Sequence, residues 1–381
     1  MKKIAIITSG LLPMPSVKDG AIETLLQYTL DYNEIDKKAE FDVYSIYDEE
    51  AILENTKYKN TKYIYIKVNT MMNIIKKYFL RLCRKLKILR DPNFQSDFIK
   101  KVYKKMQNKK YDYVIVESEN HFTEYLLKKT RIPVILYLHN DKLNNSTHNG
   151  IFIIDNVYKV LVVSEYMKRR VLTLGKEYNN KIDVIHNGGD LNKYLNIIRD
   201  NKYNDTVNFL FVGRLEKEKG VLELIKAFNN MKNKNTKLFI VGGTFHSSNK
   251  KSKYYNEIVK EANKRKEDIV FTGYIKHKEL VNLYRFIDVQ VVPSLWEEPA
   301  GLVNIEAIAA NVSLIASNVG GIPEYVNKET ILVDKDQNFI NNLTLNMDKM
   351  KKNSKLISDF DINYFSKEEY VKRYYKIIGE L

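Results

Sequence analysis

The sequence predicts an α/β protein built from two doubly wound domains. Three observations carry that expectation. Short β-rich runs alternate with helical stretches from end to end, the pattern of parallel sheets with helices on both faces. Several runs, residues 4–7 and 134–138 among them, are apolar without interruption, which a strand requires only when both its faces are covered. The chain has 381 residues, and one hydrophobic core rarely grows past about 250–300 residues, so two domains are expected.

In the N-terminal half the strand-like runs are residues 3–9, 41–46, 63–68, 113–117, 134–139, 160–164 and 183–186. In the C-terminal half they are 208–212, 237–241, 269–272, 289–293, 313–316 and 331–333. Amphipathic helices lie between them, for example 222–231 and 304–310. The turn Asn187-Gly188-Gly189-Asp190 and the polar stretch 199–206 mark a boundary. The expected division is 1–190, 191–363 and a last helix, 364–381. Ser366-Lys367-Glu368-Glu369 reads as a capping box opening that helix, with Tyr370, Tyr374, Ile377 and Ile378 on one face.

Composition narrows the class. With 44% apolar and 29% charged residues the chain can bury cores and stay in solution. A lone cysteine, Cys83, gives no disulfide framework, which suits a reducing compartment. The first ten residues hold too short an apolar run for a signal peptide, and no window approaches the ~20 apolar residues of a membrane span. A cytoplasmic location is expected.

The net charge of +15 is unevenly spread: residues 71–110 hold 13 Lys or Arg against Asp91 and Asp97. Within this block, residues 71–90 read as one amphipathic helix. Met71, Met72, Ile75, Tyr78, Phe79, Leu82, Cys83, Leu86 and Leu89 share one face; Lys76, Lys77, Arg81, Arg84, Lys85 and Lys87 share the other. An apolar face opposite a wholly cationic one suits an anionic bilayer surface, which would make the protein peripheral on the inner face of the cell membrane. The plainer alternative is a helix packed on the first domain with a solvated Lys/Arg face. Nucleic acid stands behind both.

Some motifs are absent. There is no Gly-x-x-x-x-Gly-Lys-Ser/Thr loop, and Gly10-Leu11-Leu12-Pro13 after the first strand is no dinucleotide fingerprint, which argues against P-loop NTPases and dinucleotide dehydrogenases. No His/Cys cluster has metal-ligand spacing, and no metal or cofactor is expected.

The most informative stretch runs from Pro293-Ser294-Leu295-Trp296-Glu297-Glu298 through Pro299-Ala300-Gly301-Leu302-Val303 to Asn304-Ile305-Glu306. An apolar strand ends at Pro293, and a Pro/Gly loop enters a helix at about Leu302. Unpaired backbone N–H groups and the helix dipole favour an anion there. Glu298 sits in the loop, where its carboxylate can accept from sugar hydroxyls; Glu306 lies one to two turns into the helix, within reach of a second polyol such as a ribose. Two solvated surface acids are the alternative reading.

Here the sequence resembles the retaining glycosyltransferases of family 4, of the bacterial cell-surface polysaccharide type, which have the GT-B fold. Their signature is Glu, seven residues, Glu, with Pro-x-Gly-Leu after the first Glu, and Glu298 through Glu306 matches it. The resemblance implies two Rossmann-like domains facing a central cleft, with the last helix crossing back to the first domain. It makes Glu298 the donor-sugar contact and Glu306 the ribose contact. Gly213-Arg214-Leu215-Glu216-Lys217-Glu218-Lys219-Gly220 matches the same family, with Arg214 and Lys219 placed to neutralise a diphosphate without a metal. Gly242, Ile275 and the loop Gly320-Gly321-Ile322-Pro323-Glu324 resemble further family loops, the first two facing the nucleotide; plain turn glycines are the other reading. In the first domain Gly20 belongs to a loop that the family writes Gly-Gly-x-Glu; here Ala21 replaces the second Gly, and Ala disfavours positive φ. His139 matches a family His that faces the donor sugar, where a structural histidine is the alternative. The match is weakest over residues 50–130, the acceptor side.

The activity implied is hexosyl-type transfer from a nucleotide-sugar, UDP by family frequency, to a saccharide or lipid-linked acceptor, with retained anomeric configuration. The departing phosphate, held by Arg214, Lys219 and the amides at Gly301, Leu302 and Val303, takes the acceptor's proton. Two alternatives stay open: a nucleotide-sugar epimerase on the same fold, and a non-catalytic partner subunit of a membrane-associated transferase.

Overall fold

A computed structural model describes residues 1–68, 97–198, 206–243, 253–351 and 360–380. The basic segment 71–90 lies outside the described residues. The chain divides into two compact units: Met1–Ile185 with Val371–Leu381, and His186–Tyr370.

The first unit holds seven strands, β1 (Lys3–Ile7), β2 (Glu40–Ile46), β3 (Thr61–Ile66), β4 (Tyr113–Glu117), β5 (Val134–Leu138), β6 (Lys159–Val162) and β7 (Ile182–Val184). All pair in parallel, in the order β3-β2-β1-β4-β5-β6-β7. The uninterrupted apolar runs are the central strands: Ile4, Ala5, Ile6 and Ile7 are fully buried, as are Ile135, Leu136 and Leu138. The helices between are α1 (Ala21–Ile35), α2 (Glu49–Asn55), α3 (Asp97–Met106), α4 (Asn120–Leu127), α5 (Gly150–Asn156) and α6 (Glu165–Val171).

The second unit repeats the plan with six strands, β8 (Val207–Val212), β9 (Thr236–Val241), β10 (Ile269–Gly273), β11 (Val289–Val292), β12 (Ser313–Ser317) and β13 (Ile331–Val333). They pair in parallel in the order β10-β9-β8-β11-β12-β13. Its helices are α7 (Asn192–Leu195), α8 (Val221–Asn230), α9 (Lys253–Ala262), α10 (His277–Leu280), α11 (Leu302–Ala309) and α12 (Phe339–Lys349). Hydrophobic clusters cover both faces of the sheet, one centred on Phe209, Leu224 and Phe228, the other on Leu210, Tyr284 and Ile305.

Each of the thirteen strands among the described residues lies within two residues of the run that predicts it. Each sheet reverses its strand order once, between β1 and β4 in the first unit and between β8 and β11 in the second. Ligands of open parallel sheets bind outside the carboxyl ends of strands at such a reversal, so the loops after these four strands are where a site belongs.

The last helix, α13 (Lys367–Glu380), starts as its sequence predicts: Ser366 Oγ accepts from the Glu369 amide at 3.2 Å. From Val371 onward the chain groups with the first unit. There Tyr374 and Ile378 are buried, the Tyr375 hydroxyl donates to the Thr29 carbonyl at 2.9 Å, and Lys2 Nζ donates to the Ile378 carbonyl at 3.1 Å.

Candidate active site

In the second unit the loops after β8 and β11 are pressed together. Gly220 has φ +68°, and a Cβ there would stand 1.8 Å from the Pro293 carbonyl oxygen, so only glycine allows the approach. The Leu295 amide donates to the Glu218 carbonyl at 2.8 Å across the same contact. This brings Lys219 to Glu298: Nζ lies 2.6 Å from Oε1, and the Ser294 hydroxyl donates to that oxygen at 2.6 Å. Glu298 is 8% exposed. Lys219 Nζ also stands 5.7 Å from the centre of the Trp296 ring. The Gly320-Gly321 turn holds the Glu298 backbone, the Gly321 amide donating to the Glu298 carbonyl at 2.7 Å. Gly320, at φ +56°, would put a Cβ 2.3 Å from that same oxygen.

Helix α11 opens at Leu302 behind Gly301, which as N-cap has no side chain to cap it. Gln290, fully buried on β11, donates to the Val303 carbonyl at 2.8 Å and accepts from the Tyr284 hydroxyl, which ties the helix start to the sheet. A Cβ on Gly301 would lie 2.4 Å from Asn304 Nδ2. Glu306, on the next turn, is buried. Its Oε1 is 2.6 Å from His277 Nε2, while its Oε2 has no hydrogen-bond partner among the described residues. Burial, and then the nearby Glu306 charge, hold the Tyr284 hydroxyl well above the usual phenol range.

The ends of β8, β9 and β10 form one rim. Gly242, at φ +147°, would place a Cβ 1.8 Å from the Gly213 carbonyl oxygen, and its amide donates to Gly273 at 2.9 Å. Ile275 is half-buried against the cluster that holds Val241 and Leu280. Arg214 is exposed at the end of β8, with Nη1 2.7 Å from Glu216 Oε2.

In the first unit, His139 follows β5. Its Nε2 lies 3.0 Å from Glu117 Oε2, and its Nδ1 is buried with no partner among the described residues. Glu117 ends β4, on the strand reversal, and both side chains are almost wholly buried. Glu23 on α1 accepts from the Ser9 hydroxyl at 3.3 Å, and burial raises its carboxyl above the usual range. Gly20 leaves room for that carboxylate: a Cβ there would stand 2.2 Å from Glu23 Oε2. Ala21 is the first residue of α1, and the left-handed position is Asp19, at φ 52°. The Ala therefore carries no backbone strain.

The structure thus brings Lys219 to Glu298 and sets Leu302, Val303 and Glu306 on one helix, with Gly301 as its N-cap. It pairs Arg214 with Glu216. His277, Ser294 and Glu117 escape the sequence reading. Glu117 alone left a signal there, as an acid closing an apolar strand.

Two family models match the chain. "Glycosyl transferases group 1" matches residues 194–363, and "Glycosyltransferase Family 4" matches residues 78–193. Spore coat protein SA of Bacillus subtilis is 25% identical over 344 residues, covering 85% of this chain and 83% of that protein. The lipopolysaccharide 1,2-N-acetylglucosaminetransferase of Salmonella typhimurium is 26% identical over 346 residues, covering 86% of this chain and 83% of its own. Among solved structures, Anabaena HepE in complex with UDP and glucose has the same fold, with a TM-score of 0.70 at 16% identity over the whole of both chains.

Proposed function

Because the chain belongs to the family 4 glycosyltransferases, with the GT-B fold, we propose that it is a retaining, metal-independent transferase that moves a sugar from a UDP-sugar to a saccharide or lipid-linked acceptor in surface polysaccharide or glycoconjugate synthesis. The observation that carries the reading is the Lys219–Glu298 pair, 2.6 Å apart on two loops flanking the strand reversal, beside the glycine-capped start of α11.

Each group has a task in that reaction. The Glu298 carboxylate accepts from donor-sugar hydroxyls. Lys219, Arg214 and the amides at the start of α11 hold the diphosphate, which gains charge as the bond from the anomeric carbon to its oxygen breaks. The acceptor oxygen bonds to that carbon on the face the phosphate leaves, and its proton passes to the departing phosphate oxygen. Glu306 takes the ribose. Gly213, Gly242 and Ile275 bound the nucleotide. The Salmonella relative is named for sugar transfer onto lipopolysaccharide, and HepE is solved with UDP; both support the substrate classes. Residues 71–90 are proposed to rest on an anionic membrane surface, near a lipid-linked acceptor.

The test begins with a donor screen by thermal shift, since a ligand of the folded state raises its stability. Purified chain with the stabilising donor should release free nucleotide only when acceptor is added. An epimerase would convert the donor sugar without acceptor, and a partner subunit would turn over nothing alone. Either result rejects the proposal.

A further inference from the structure

Glu306 is only half satisfied. Oε1 receives His277 Nε2 at 2.6 Å, whereas Oε2 is buried and has no partner among the described residues. A buried carboxylate oxygen without a donor is costly, so a donor arriving with a ligand completes it. The imidazole is itself held from behind: Lys193 Nζ lies 3.2 Å from Nδ1. An ammonium only donates. Nδ1 therefore accepts, the ring proton sits on Nε2, and Nε2–H donates to Glu306. The Tyr194 hydroxyl, 3.4 Å from Nε2, flanks the ring. Lys193, His277 and Glu306 come from α7, α10 and α11, three elements of one unit.

We infer that His277, backed by Lys193, is a positioning residue that occupies one oxygen of Glu306 and aims the other at the ribose of the donor nucleotide. The inference rests on the reading of Glu306 as the ribose contact. His277 touches no ligand in this scheme. It fixes the carboxylate's rotation, as the outer hydrogen bond of a metal-bound histidine fixes its ring, and spares Oε2 from seeking a protein donor.

The experiment measures binding by calorimetry, with UDP, GDP and ADP as probes, each against its 2′-deoxy form. The readout is the ratio of the two dissociation constants for the nucleotide that binds. The unaltered chain should favour the ribonucleotide about tenfold, and Glu306→Leu should bring the ratio close to one. His277→Ala should lose most of the preference and His277→Gln, which keeps an N–H donor, should retain most of it. Lys193→Met, which leaves the imidazole in place, should lose part, and it serves if His277→Ala melts early. No binding of any of the three probes would overturn the donor reading itself. A ratio near one in the unaltered chain, or an unchanged ratio in Glu306→Leu, would overturn the role of Glu306. A loss in Glu306→Leu beside unchanged ratios in folded His277→Ala and Lys193→Met would overturn the positioning role alone.

Discussion

At the scale of single residues, the two carboxylates of the signature sit in different chemistry. Glu298 shares one oxygen between an ammonium and a hydroxyl, beside the helix start; Glu306 lies deeper, bonded to an imidazole. Their substitutions should therefore separate kinetically. Glu298→Gln should lower kcat about a hundredfold with a smaller change in donor KM, because its proposed contact is to the reacting sugar. Glu306→Gln should raise donor KM about tenfold and spare kcat, because a ribose contact is the same in ground and transition states. Steady-state kinetics with the donor found by thermal shift checks both, and equal, small effects would undo the assignment. The placement of the two acids, Glu298 in the loop and Glu306 on the helix, was legible because Pro299, Gly301 and the helix that follows gave their spacing a setting. His277, Ser294 and Glu117 were not, since their partners lie 29, 4 and 22 residues away and meet them only once the loops are packed.

At the scale of elements, the glycines have a more specific purpose than turn-making. Gly220, Gly242 and Gly320 hold positive φ where another backbone presses on the Cα, and each such contact joins two loops of the second unit. The sequence marked these positions as glycine loops without saying what they faced, because the neighbouring backbone is remote in the chain. Gly220→Ala should force the β8 and β11 loops apart. The expected cost is roughly 1–3 kcal/mol for the φ alone, with more from the contact with Pro293. It should separate Lys219 from Glu298, so activity should fall further than the unfolding midpoint; a fully active, fully stable Gly220→Ala would contradict the geometry. The basic stretch 71–90, which its sequence pattern reads as an amphipathic helix, carries a different prediction. Its Lys and Arg residues should hold the protein on liposomes with anionic lipid, more weakly as salt rises. Charge reversal at Arg81, Arg84 and Lys85 should release the protein. Equal sedimentation with neutral lipid, or none with either, would reject the membrane proposal.

At the scale of the molecule, two sheets with one winding pattern were legible because parallel strands covered on both faces must be apolar throughout, and such runs are hard to mistake. The order of those strands was not written in any single run. It emerges only as the strands pair, and it decides which loops lie at the reversal. The return of Val371–Leu381 to the first unit is likewise a packing result, carried by Tyr374, Tyr375 and Ile378. What the whole chain is proposed to do rests on its cations: Lys219, Arg214 and the start of α11 neutralise the leaving diphosphate. The measurement that bears most directly on this is a transfer assay of the full chain in excess EDTA, following sugar on the acceptor, free nucleotide and the anomeric configuration of the product by NMR. The account predicts undiminished turnover, one nucleotide released per sugar transferred, and the donor's configuration kept. Loss of turnover that Mg²⁺ or Mn²⁺ restores, or an inverted product, would contradict it.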